Sequence, residues 1–590
     1  MNRPFHAACL IACALALLVA APTGAGPARA DADLILINGH VLTVDAKDTV
    51  AEAVAVRAGR IVAVGTSVAV RALAAPNARV IDLHGRTATP GLIDSHAHIA
   101  EGGVTVVFDV ELSDATSIAE IKRRIAARVA TKKPGEWILG SGWDEAKLAE
   151  GRYLHAADLD EVAPKNPVWL DHTTGHYGTA NGIAMALAKV DATTANPPAG
   201  TIDRDPSGRP TGVLKESAQG LVTKLIPPTT VEEQRAGILA SLDLMHREGM
   251  TAVKDPNISV QTQWDAYESL ARDGKLTAHV CVLWHGETAP ELVRARIAQL
   301  AALPKPPASV HDNLISCGVK FFLDGSGAGR TAWVYDDWYK NFRDVDTGNK
   351  GYPLIDPAEY REAVRTYNAA GVHVSTHAVG DRAIDWVVDT YAEVLKAQPT
   401  KGLRHGIIHA NIPSEHAIGV MAALQRGFDA GYPETQPTFT WWIGDNYAAN
   451  LGPARMGRLN PYATYLARGV RWAAGSDFPV TPLPARYGLW ASVARTTARG
   501  TYGAQPFGTA EAVDIRTALR SYTIWAAYQL FIEREAGSLE PGKSADIAVW
   551  DRDLTTAPTD ALKDLKCELT LFRGAIVYRA QATPVTVSPN

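Results

Sequence analysis

Eight short apolar runs, separated by segments with helical patterning, constrain the fold of this 590-residue chain more than any other feature. Runs of this kind are typical of parallel strands buried on both faces, and parallel strands need a long, usually helical crossover between them. Eight strand–helix units predict an α/β fold, a (β/α)8 TIM-like barrel, in which functional groups gather at the carboxyl ends of the strands. The runs cover residues 91–98, 251–255, 279–285, 318–324, 372–377, 406–409, 428–436 and 471–477.

Two further parts of the chain do not fit a bare barrel. The interval between the first two runs, from residue 98 to 251, is far longer than one crossover needs, so residues 115–230 are predicted to form an inserted α+β subdomain. Both chain ends contain short strand patterns with tight turns, and neither end has enough strands for a stable domain of its own. Residues 31–88 and 538–590 are therefore predicted to combine into one small composite β-sandwich domain beside a barrel spanning 89–537.

Residues 1–30 have the form of a secretory signal peptide. Arg3 precedes an apolar run over 7–21, and the sequence Ala-Arg-Ala at 28–30 has the pattern of a signal-peptidase site. A membrane anchor is the alternative, but the run is short for a bilayer span, and prolines and glycines follow it. We expect cleavage near Ala30 and export to the periplasm, with no integral membrane segment in the mature chain.

Composition and cysteine count restrict the partners and the covalent framework. A net charge of -5 and a chain without a basic block argue against a nucleic-acid partner, so a small-molecule substrate is expected. The oligomeric state is left open, with a homo-oligomer among the alternatives. Three cysteines follow the signal, Cys281, Cys317 and Cys567, and an odd, widely spaced set does not predict a disulfide framework. We expect Cys281 and Cys317 to be small residues of the core.

The first run ends in Asp-Ser-His-Ala-His, which puts His96 and His98 two residues apart. Side chains two apart on a strand point to the same face, so the two imidazoles form half of a site for zinc or a similar divalent ion. A metal held in this way can convert water into hydroxide near neutral pH. Four other runs end in groups that suit a metal centre: Lys320 and Asp324, His377 and Asp381, His405 and His409, and Asp477.

Each of these residues also has an ordinary structural interpretation. A histidine at a strand end is commonly a hydrogen-bonded core residue, Lys320 can extend its amine to water, and Asp477 after Gly-Ser can cap a helix. Asp324 and Asp381 fit the orientation of ligands or the capping of turns better than metal binding. The occurrence of suitable groups on five of the eight runs together favours a metal centre over five unrelated accidents.

The motifs resemble those of the amidohydrolase superfamily, and within it the family 3 branch typified by N-substituted formamide deformylases. The resemblance covers nearly the whole chain after residue 30. It implies a metal-dependent barrel hydrolase that cleaves an amide or other C–N bond outside peptides. The motifs that carry it are TPGLIDSHAH (89–98), KFFLDG (320–325), THAVGDRA (376–383), IHA (408–410), GSDFP (475–479) and GSLEPGKSAD (537–546), with GSGWD (140–144) and PTGVLKE (210–216) in the insert.

The resemblance also implies the cofactor and the roles of the site residues. Lys320 would be carboxylated on its side-chain nitrogen and bridge two ions, and burial among apolar neighbours favours the uncharged amine that this modification needs. Asp477 would act as general base toward a metal-bound hydroxide and then protonate the leaving nitrogen. The implied ligand set for one or two divalent ions, with zinc expected, is His96, His98, Lys320, His377, His409 and Asp477.

Two positions depart from the family pattern. His405 precedes Gly406 where a run like Arg-Ile-Glu is expected before the ligand, so both His405 and His409 are candidates for the ligand of the sixth run. We choose His409 because an apolar Ile-Ile pair precedes it and alanine follows it. In the insert, Gly175-His176 is followed by tyrosine where the branch usually has tryptophan. His176 is predicted to contact substrate, with a structural loop residue as the alternative.

Four tryptophans are candidates for the lining of an apolar substrate pocket, and core packing is the alternative for each of them. They are Trp143, Trp333, Trp441 and Trp442.

Two other functions remain open at this point. A lactonase or esterase can use the same metal centre, because an activated hydroxide also opens esters. A periplasmic protein that binds a metal or ligand without turnover belongs to a different class. The presence of a general base, Asp477, beside the full ligand set argues against it.

Overall fold

The computed structural model describes residues 31–306, 313–339, 348–500, 508–581 and 586–589. The predicted signal peptide, residues 1–30, lies outside these ranges. Within them, no helix combines the length and the apolar character that crossing a bilayer requires.

Eight parallel strands form the central sheet and confirm the predicted barrel. Each strand pairs with the next in chain order, and the first and eighth strands meet through a hydrogen bond of 3.1 Å from the Ser95 amide to the Ala474 carbonyl. The polar strand ends therefore converge on one face of the barrel. The strands are β1 (Leu92–Asp94), β2 (Met250–Ile258), β3 (His279–His285), β4 (Leu314–Phe322), β5 (His373–Ala378), β6 (Gly406–His409), β7 (Tyr432–Thr435) and β8 (Ala473–Ala474).

Helices cover the outer face of the barrel, and local signals set their ends. Thr230 and Glu233 form a capping box at the start of the helix after the insert, and the Asp356 carboxylate caps a helix that begins at Pro357. The strands and the apolar faces of the helices share the largest buried core of the molecule. The main helices are Ile99–Phe108, Val231–Arg247, Gln261–Arg272, Pro290–Ala301, Pro357–Ala369, Asp381–Ala397, Glu415–Phe428, Gly444–Met456, Tyr462–Arg468, Ala485–Ala494, Ile515–Ser521 and Ile524–Gln529.

An inserted α+β unit lies between β1 and β2. Its six-stranded sheet has its own buried core, which is separate from that of the barrel. In spatial order the strands are Gly200–Arg204, Pro210–Glu216, Tyr177–Ala180, Val168–His172, Ile138–Trp143 and Val110–Glu111. The helices Ile118–Val129, Ala156–Asp160, Gly182–Ala188 and Gly220–Thr223 accompany this sheet.

The two chain ends form a composite β-sandwich, as predicted, because each of its two sheets takes strands from both ends. Residues such as Leu34 and Val56 from the amino end share a core with Ile547 and Leu571 from the carboxyl end. One sheet contains Thr586–Pro589, Ala74–Asp82, Ala32–Ile37, Ala53–Arg57 and Arg60–Gly65. The other contains Ala575–Arg579, Cys567–Phe572, Ile547–Trp550, Thr87–Pro90, His40–Leu42 and Val50–Ala51.

The prediction for two cysteines is wrong in one respect. Cys281 and Cys317 are buried, as expected, but they form a disulfide. They lie on the neighbouring strands β3 and β4, whose pairing brings their Cα atoms to 5.7 Å although 36 residues separate them in sequence. Cys567 is a buried free thiol.

Candidate metal centre

Four of the six predicted ligands meet at the joint between the first, fourth and eighth strands. The Nε2 atoms of His96 and His98 lie 3.2 and 3.4 Å from the same carboxylate oxygen of Asp477. The Lys320 amine is 3.3 Å from Nε2 of His96. His96, Lys320 and Asp477 are buried, and His98 is 13% exposed on the side that faces a cavity.

The two ligands predicted on β5 and β6 complete the ring of donors. The imidazole centres of His377 and His409 are 4.4 Å apart, and that of His409 is 5.4 Å from His96. Nδ1 of His409 bonds the Gln436 amide oxygen at 2.7 Å, and Nε2 of His377 bonds the Gly325 carbonyl at 3.1 Å. Each ring thus uses one nitrogen for orientation and keeps the other for a ligand.

Backbone geometry at the strand ends fixes these side chains. The buried Asp94 carboxylate accepts the amides of His96 and Ser476 and also the Ser476 hydroxyl, so it joins the ends of β1 and β8. His409 and Asp477 have positive φ values of 71° and 60°. Such conformations are costly for residues other than glycine and are concentrated at functional sites.

Burial keeps three imidazoles of the centre, those of His96, His377 and His409, uncharged. It lowers the pKa of His409 to about 4. It also holds the pKa of His96 well below its ordinary value, with the Lys320 charge adding to the effect. The pKa of His377 is depressed by burial and by the neighbouring His409 and His176. Each of these rings is therefore neutral at neutral pH and has one nitrogen lone pair that can bind a metal.

The charge of Asp477 suits a cation as well, and burial weakens the opposing charge of Lys320. Burial opposes the charge of Asp477, but hydrogen bonds from His96 and His98 hold its pKa well below the ordinary value. Burial lowers the pKa of Lys320 to about 8, against the opposing pull of the Asp477 and Glu434 carboxylates. Neutral imidazoles around an ionised carboxylate are a donor set that fits a divalent metal, and the lowered pKa of Lys320 leaves a fraction of its amine uncharged at neutral pH.

Unsatisfied atoms also point to a missing partner. Nδ1 of His96 and Nδ1 of His98 are buried and have no hydrogen-bond partner among the described residues. Buried polar atoms without partners are uncommon and are typical of sites that hold an ion or other group. The residues present therefore fit a metal centre.

A cavity of about 440 Å³ opens onto this centre. Its walls come from the barrel and from the inserted unit, so that a molecule in it touches both. Residues of the lining include His98, Glu101, Asp171, His176, Glu216 and Phe322. A larger cavity of about 850 Å³ lies between the insert and the loops after β4 and β7, and none of the six predicted ligands lines it.

Three other candidates from the sequence, His405, Asp324 and Asp381, pair with backbone or side-chain groups of the protein. His405 is buried near the start of β6, where its two ring nitrogens pair with the Val374 amide and the Asn368 side chain. Asp324 accepts the amides of Trp333, Val379 and Gly380 and so holds the loops after β4 and β5, and one of its carboxylate oxygens lies 3.6 Å from Nε2 of the predicted ligand His377. Asp381 accepts the Tyr335 amide. These aspartates cap loops, and His409 occupies the centre.

None of the four tryptophans is among the described residues that line this cavity, and their contact with substrate stays a prediction. Trp143 is fully buried in the core of the insert, where its indole donates to the Leu170 carbonyl. Trp333 is buried against Trp386 and Arg382. The rings of Trp441 and Trp442 contact each other, and Lys147 lies over the second of them. Core packing, the alternative interpretation, describes Trp143 and Trp333.

Sequence reasoning missed three residues that contact the predicted site residues. Asp94 and Glu216 lie inside the motifs TPGLIDSHAH and PTGVLKE, but neither residue was predicted to belong to the site. Glu216 bonds His176, the one predicted substrate contact that does line the cavity. Gln436, which holds His409, carries no signal beyond its position at the end of β7.

Comparison with known proteins identifies the family. The amidohydrolase family matches residues 79–578 of the chain. The chain belongs to the amidohydrolase family. The predicted resemblance is thereby confirmed, together with the prediction that the protein is an enzyme of this hydrolase type.

Relatives of this amidohydrolase match it along most of their length. It is 30% identical to the N-substituted formamide deformylase of Arthrobacter pascens over 564 residues, 92% of this chain and 98% of that protein. It is also 30% identical to the protein LONG AFTER FAR-RED 3 of Arabidopsis thaliana, with 89% of each chain covered. The crystal structure of an uncharacterized metal-dependent hydrolase from Pyrococcus furiosus superposes with a TM-score of 0.64 and 25% identity, covering 89% of this chain and all of that one.

Proposed function

We propose that this amidohydrolase hydrolyses the C–N bond of a small non-peptide amide, such as an N-formyl or N-acyl amine, to an acid and an amine. The observation that carries the proposal is the contact of one ionised carboxylate, Asp477, with the imidazoles of His96 and His98 at the floor of a cavity. The similarity to a formamide deformylase over nearly the full length of both chains supports the choice of bond.

One or two divalent ions, with zinc expected, complete the site. The residues that would hold them are His96, His98, Lys320, His377, His409 and Asp477. When bound, such ions supply a Lewis acid and lower the pKa of water. The neutral rings and the ionised carboxylate are already in the protonation states that metal ligation requires.

Lys320 is expected to be carboxylated as part of this site. Its amine is buried beside the Phe322 ring, at 4.2 Å from the ring centre, and its lowered pKa of about 8 leaves a fraction uncharged at neutral pH. The Lys320 ammonium group first loses one proton, and the amine then adds to carbon dioxide with release of a second proton, so that an anionic carbamate oxygen replaces a buried cation.

Asp477 moves the proton of the reaction. As an ionised base it accepts a proton from the attacking water, and it then returns that proton to the nitrogen that leaves the acyl carbon. His96 and His98 keep its acidic oxygen in place through contacts of 3.2 and 3.4 Å. His176 lies in the cavity wall beside His377, with the ring centres 5.0 Å apart, and is the side chain that we place against the substrate.

Export to the periplasm is a separate proposal. The signal-like pattern of residues 1–30 supports it, and so does the disulfide between Cys281 and Cys317, because disulfides are typical of oxidising compartments. Amino-terminal sequencing of the protein from fractionated cells would find Asp31 first. A full-length cytoplasmic product would contradict export.

The proposed reaction is tested by metal analysis and substrate competition on the mature protein. N-formyl and N-acyl amines are compared with esters and lactones of matched size, before chelation, after chelation, and after zinc is restored. We expect bound transition metal and amide hydrolysis that chelation abolishes and zinc restores. Metal-free protein that is equally active would overturn the metal centre, and ester or lactone hydrolysis without amide hydrolysis would overturn the choice of bond.

A further inference from the structure

The wall of the active-site cavity contains an acid–imidazole pair that belongs entirely to the insert. The Glu216 carboxylate oxygens lie 3.0 and 3.2 Å from Nδ1 of His176. The Glu216 amide also donates to the His176 carbonyl at 2.8 Å, next to the antiparallel pairing of Tyr177 with Lys215. Main chain and side chain therefore hold the two residues together across neighbouring strands.

A hydrogen bond also connects Glu216 to the barrel. The Thr331 hydroxyl, in the loop after β4, donates to the carboxylate oxygen Oε1 of Glu216. The contact between Thr331 and Glu216 requires glycine at position 325. A Cβ atom there would lie 2.3 Å from Oε1 of Glu216 and 2.1 Å from the Thr331 hydroxyl. Glu216 is 4% exposed at its side chain and has a φ of 49°. Glu216 is therefore a buried acid with a strained backbone, at the boundary between the insert and the barrel. Such features are typical of functional sites.

The pair determines which part of the imidazole faces the substrate. Since Glu216 occupies Nδ1 of His176, the opposite nitrogen, Nε2, is the one left for the cavity. The ring of His176 lies 5.0 Å from the ring of His377, so it stands beside the part of the centre that β5 forms. Without the bond from Nδ1, rotation about the side-chain bonds of His176 would carry Nε2 away from this place.

We propose that Glu216 is a positioning residue that holds His176 in contact with the reacting group of the substrate. The inference rests on the proposed function, since it gives the insert a part in the same hydrolysis. Glu216 acts through geometry: one of its oxygens accepts from His176, and the other accepts from Thr331. The insert thereby completes the active site instead of only covering it.

Substitution by glutamine separates geometry from charge. In Glu216→Gln the amide oxygen still accepts from His176, and the amide nitrogen donates to the Thr331 hydroxyl, which is both donor and acceptor. In Glu216→Ala both contacts are lost. We expect kcat of Glu216→Gln within about fivefold of wild type. We expect kcat of Glu216→Ala to fall by roughly 10- to 100-fold, with KM changing much less.

A double-mutant cycle with His176 tests whether the two residues act as one unit. We expect His176→Ala to lower kcat as much as Glu216→Ala does, and His176→Ala/Glu216→Ala to be no slower than either single variant. Glu161→Ala is the control, because Glu161 is an exposed acid of the insert that pairs with Lys122 and is not among the described residues that line the cavity. It should keep the wild-type kcat. Metal content and melting temperature are measured for every variant.

Three results would overturn the inference. Independent losses in kcat that multiply in the double variant would show that Glu216 does not act through His176. A loss in Glu216→Gln as large as in Glu216→Ala would show that charge matters more than position. A kcat of Glu216→Ala equal to wild type would remove any role in the reaction. Each of these outcomes requires measurable amide hydrolysis, whereas failure of the proposed function leaves no such activity even in the wild-type protein.

Discussion

Two buried clusters in this amidohydrolase have nearly the same composition and opposite characters. One, at the barrel mouth, contains His96, His409 and Asp477. The other, in the insert, contains Asp144, Glu145 and His172. In each, the candidate ligand atoms lie within 4.8 Å of one another. Composition and spacing alone would assign a metal to both.

The insert cluster is a closed hydrogen-bond network. The Tyr177 hydroxyl bonds Glu145 at 2.9 Å and Nε2 of His172 at 2.8 Å. The Asn446 amide donates to both acids, at 3.2 Å to Asp144 and 3.1 Å to Glu145. Every charge there has a protein partner, and the cluster joins the insert to the helix that follows β7. Such networks stabilise a fold when all of their members are satisfied.

The barrel cluster lacks this closure. Nδ1 of His96 is a buried atom without a partner among the described residues, and Nε2 of the same ring is 3.3 Å from the Lys320 amine. Burial and Lys320 keep the ring neutral. The comparison shows that a cluster of buried histidines and acids indicates a metal centre when some of its donor atoms have no hydrogen-bond partner in the protein.

The largest contrast is expected in catalysis. Asp477→Asn removes the base and should lower kcat by roughly 10²- to 10⁴-fold. Asp144→Asn keeps an acceptor for Asn446 and should change kcat less than about tenfold, since it belongs to the closed network. Steady-state kinetics on one amide substrate measures both. Equal losses would show that the two clusters share the reaction.

The second largest contrast between the two clusters is expected in metal content. His96→Ala removes a predicted ligand and should weaken metal binding more than about 100-fold, beyond the effect of losing a residue that only orients a ligand. His172→Ala should retain wild-type metal content after dialysis. Elemental analysis of the two variants checks this. Equal loss of metal in His172→Ala would place an ion in the insert.

The free energy of unfolding should respond more to a substitution in the insert cluster than to one in the barrel cluster. His172→Ala leaves the buried Glu145 without its imidazole partner and should lower the free energy of unfolding by about 3 kcal/mol. In metal-free protein His96→Ala should cost less, because the Asp477 carboxylate keeps its contact with Nε2 of His98. Denaturant titration of the chelated variants measures this difference. A larger loss in His96→Ala would contradict the closed-network interpretation.

The smallest expected effect is a dependence of stability on pH. Burial opposes the charge of Glu145. The hydrogen bond with His172 and the electrostatic attraction to His172 nevertheless hold the pKa of Glu145 below its ordinary value of 4.5. A lowered folded-state pKa adds stability above the unfolded value, and this stability is lost as pH falls through the folded value. The advantage of wild type over Glu145→Gln should therefore shrink below pH about 4.5. Denaturant titrations at stepped pH would refute this if the advantage stayed constant.

Local pattern was sufficient for the elements and for most of the strand-end residues. The runs at 279–285 and 406–409 coincide with β3 and β6, because parallel barrel strands are buried on both faces and read as continuous apolar segments. His96, Lys320 and Asp477 were predicted together because a barrel brings the ends of its strands to one face. The sequence did not reveal that the four tryptophans lie outside the lining of the cavity at the centre, because aromatic character does not show which side of an element faces a cavity.

The sequence by itself determined the barrel, the composite sandwich, the family and the six candidate ligands, since each of these depends on local periodicity or on a short motif. Only the tertiary structure decided the contacts between distant segments. The Cys281–Cys317 disulfide, the His176–Glu216 pair and the exclusion of His405 from the centre all depend on strand register and loop position. No local pattern encodes these, because side chains far apart in sequence meet only after the whole fold has placed them.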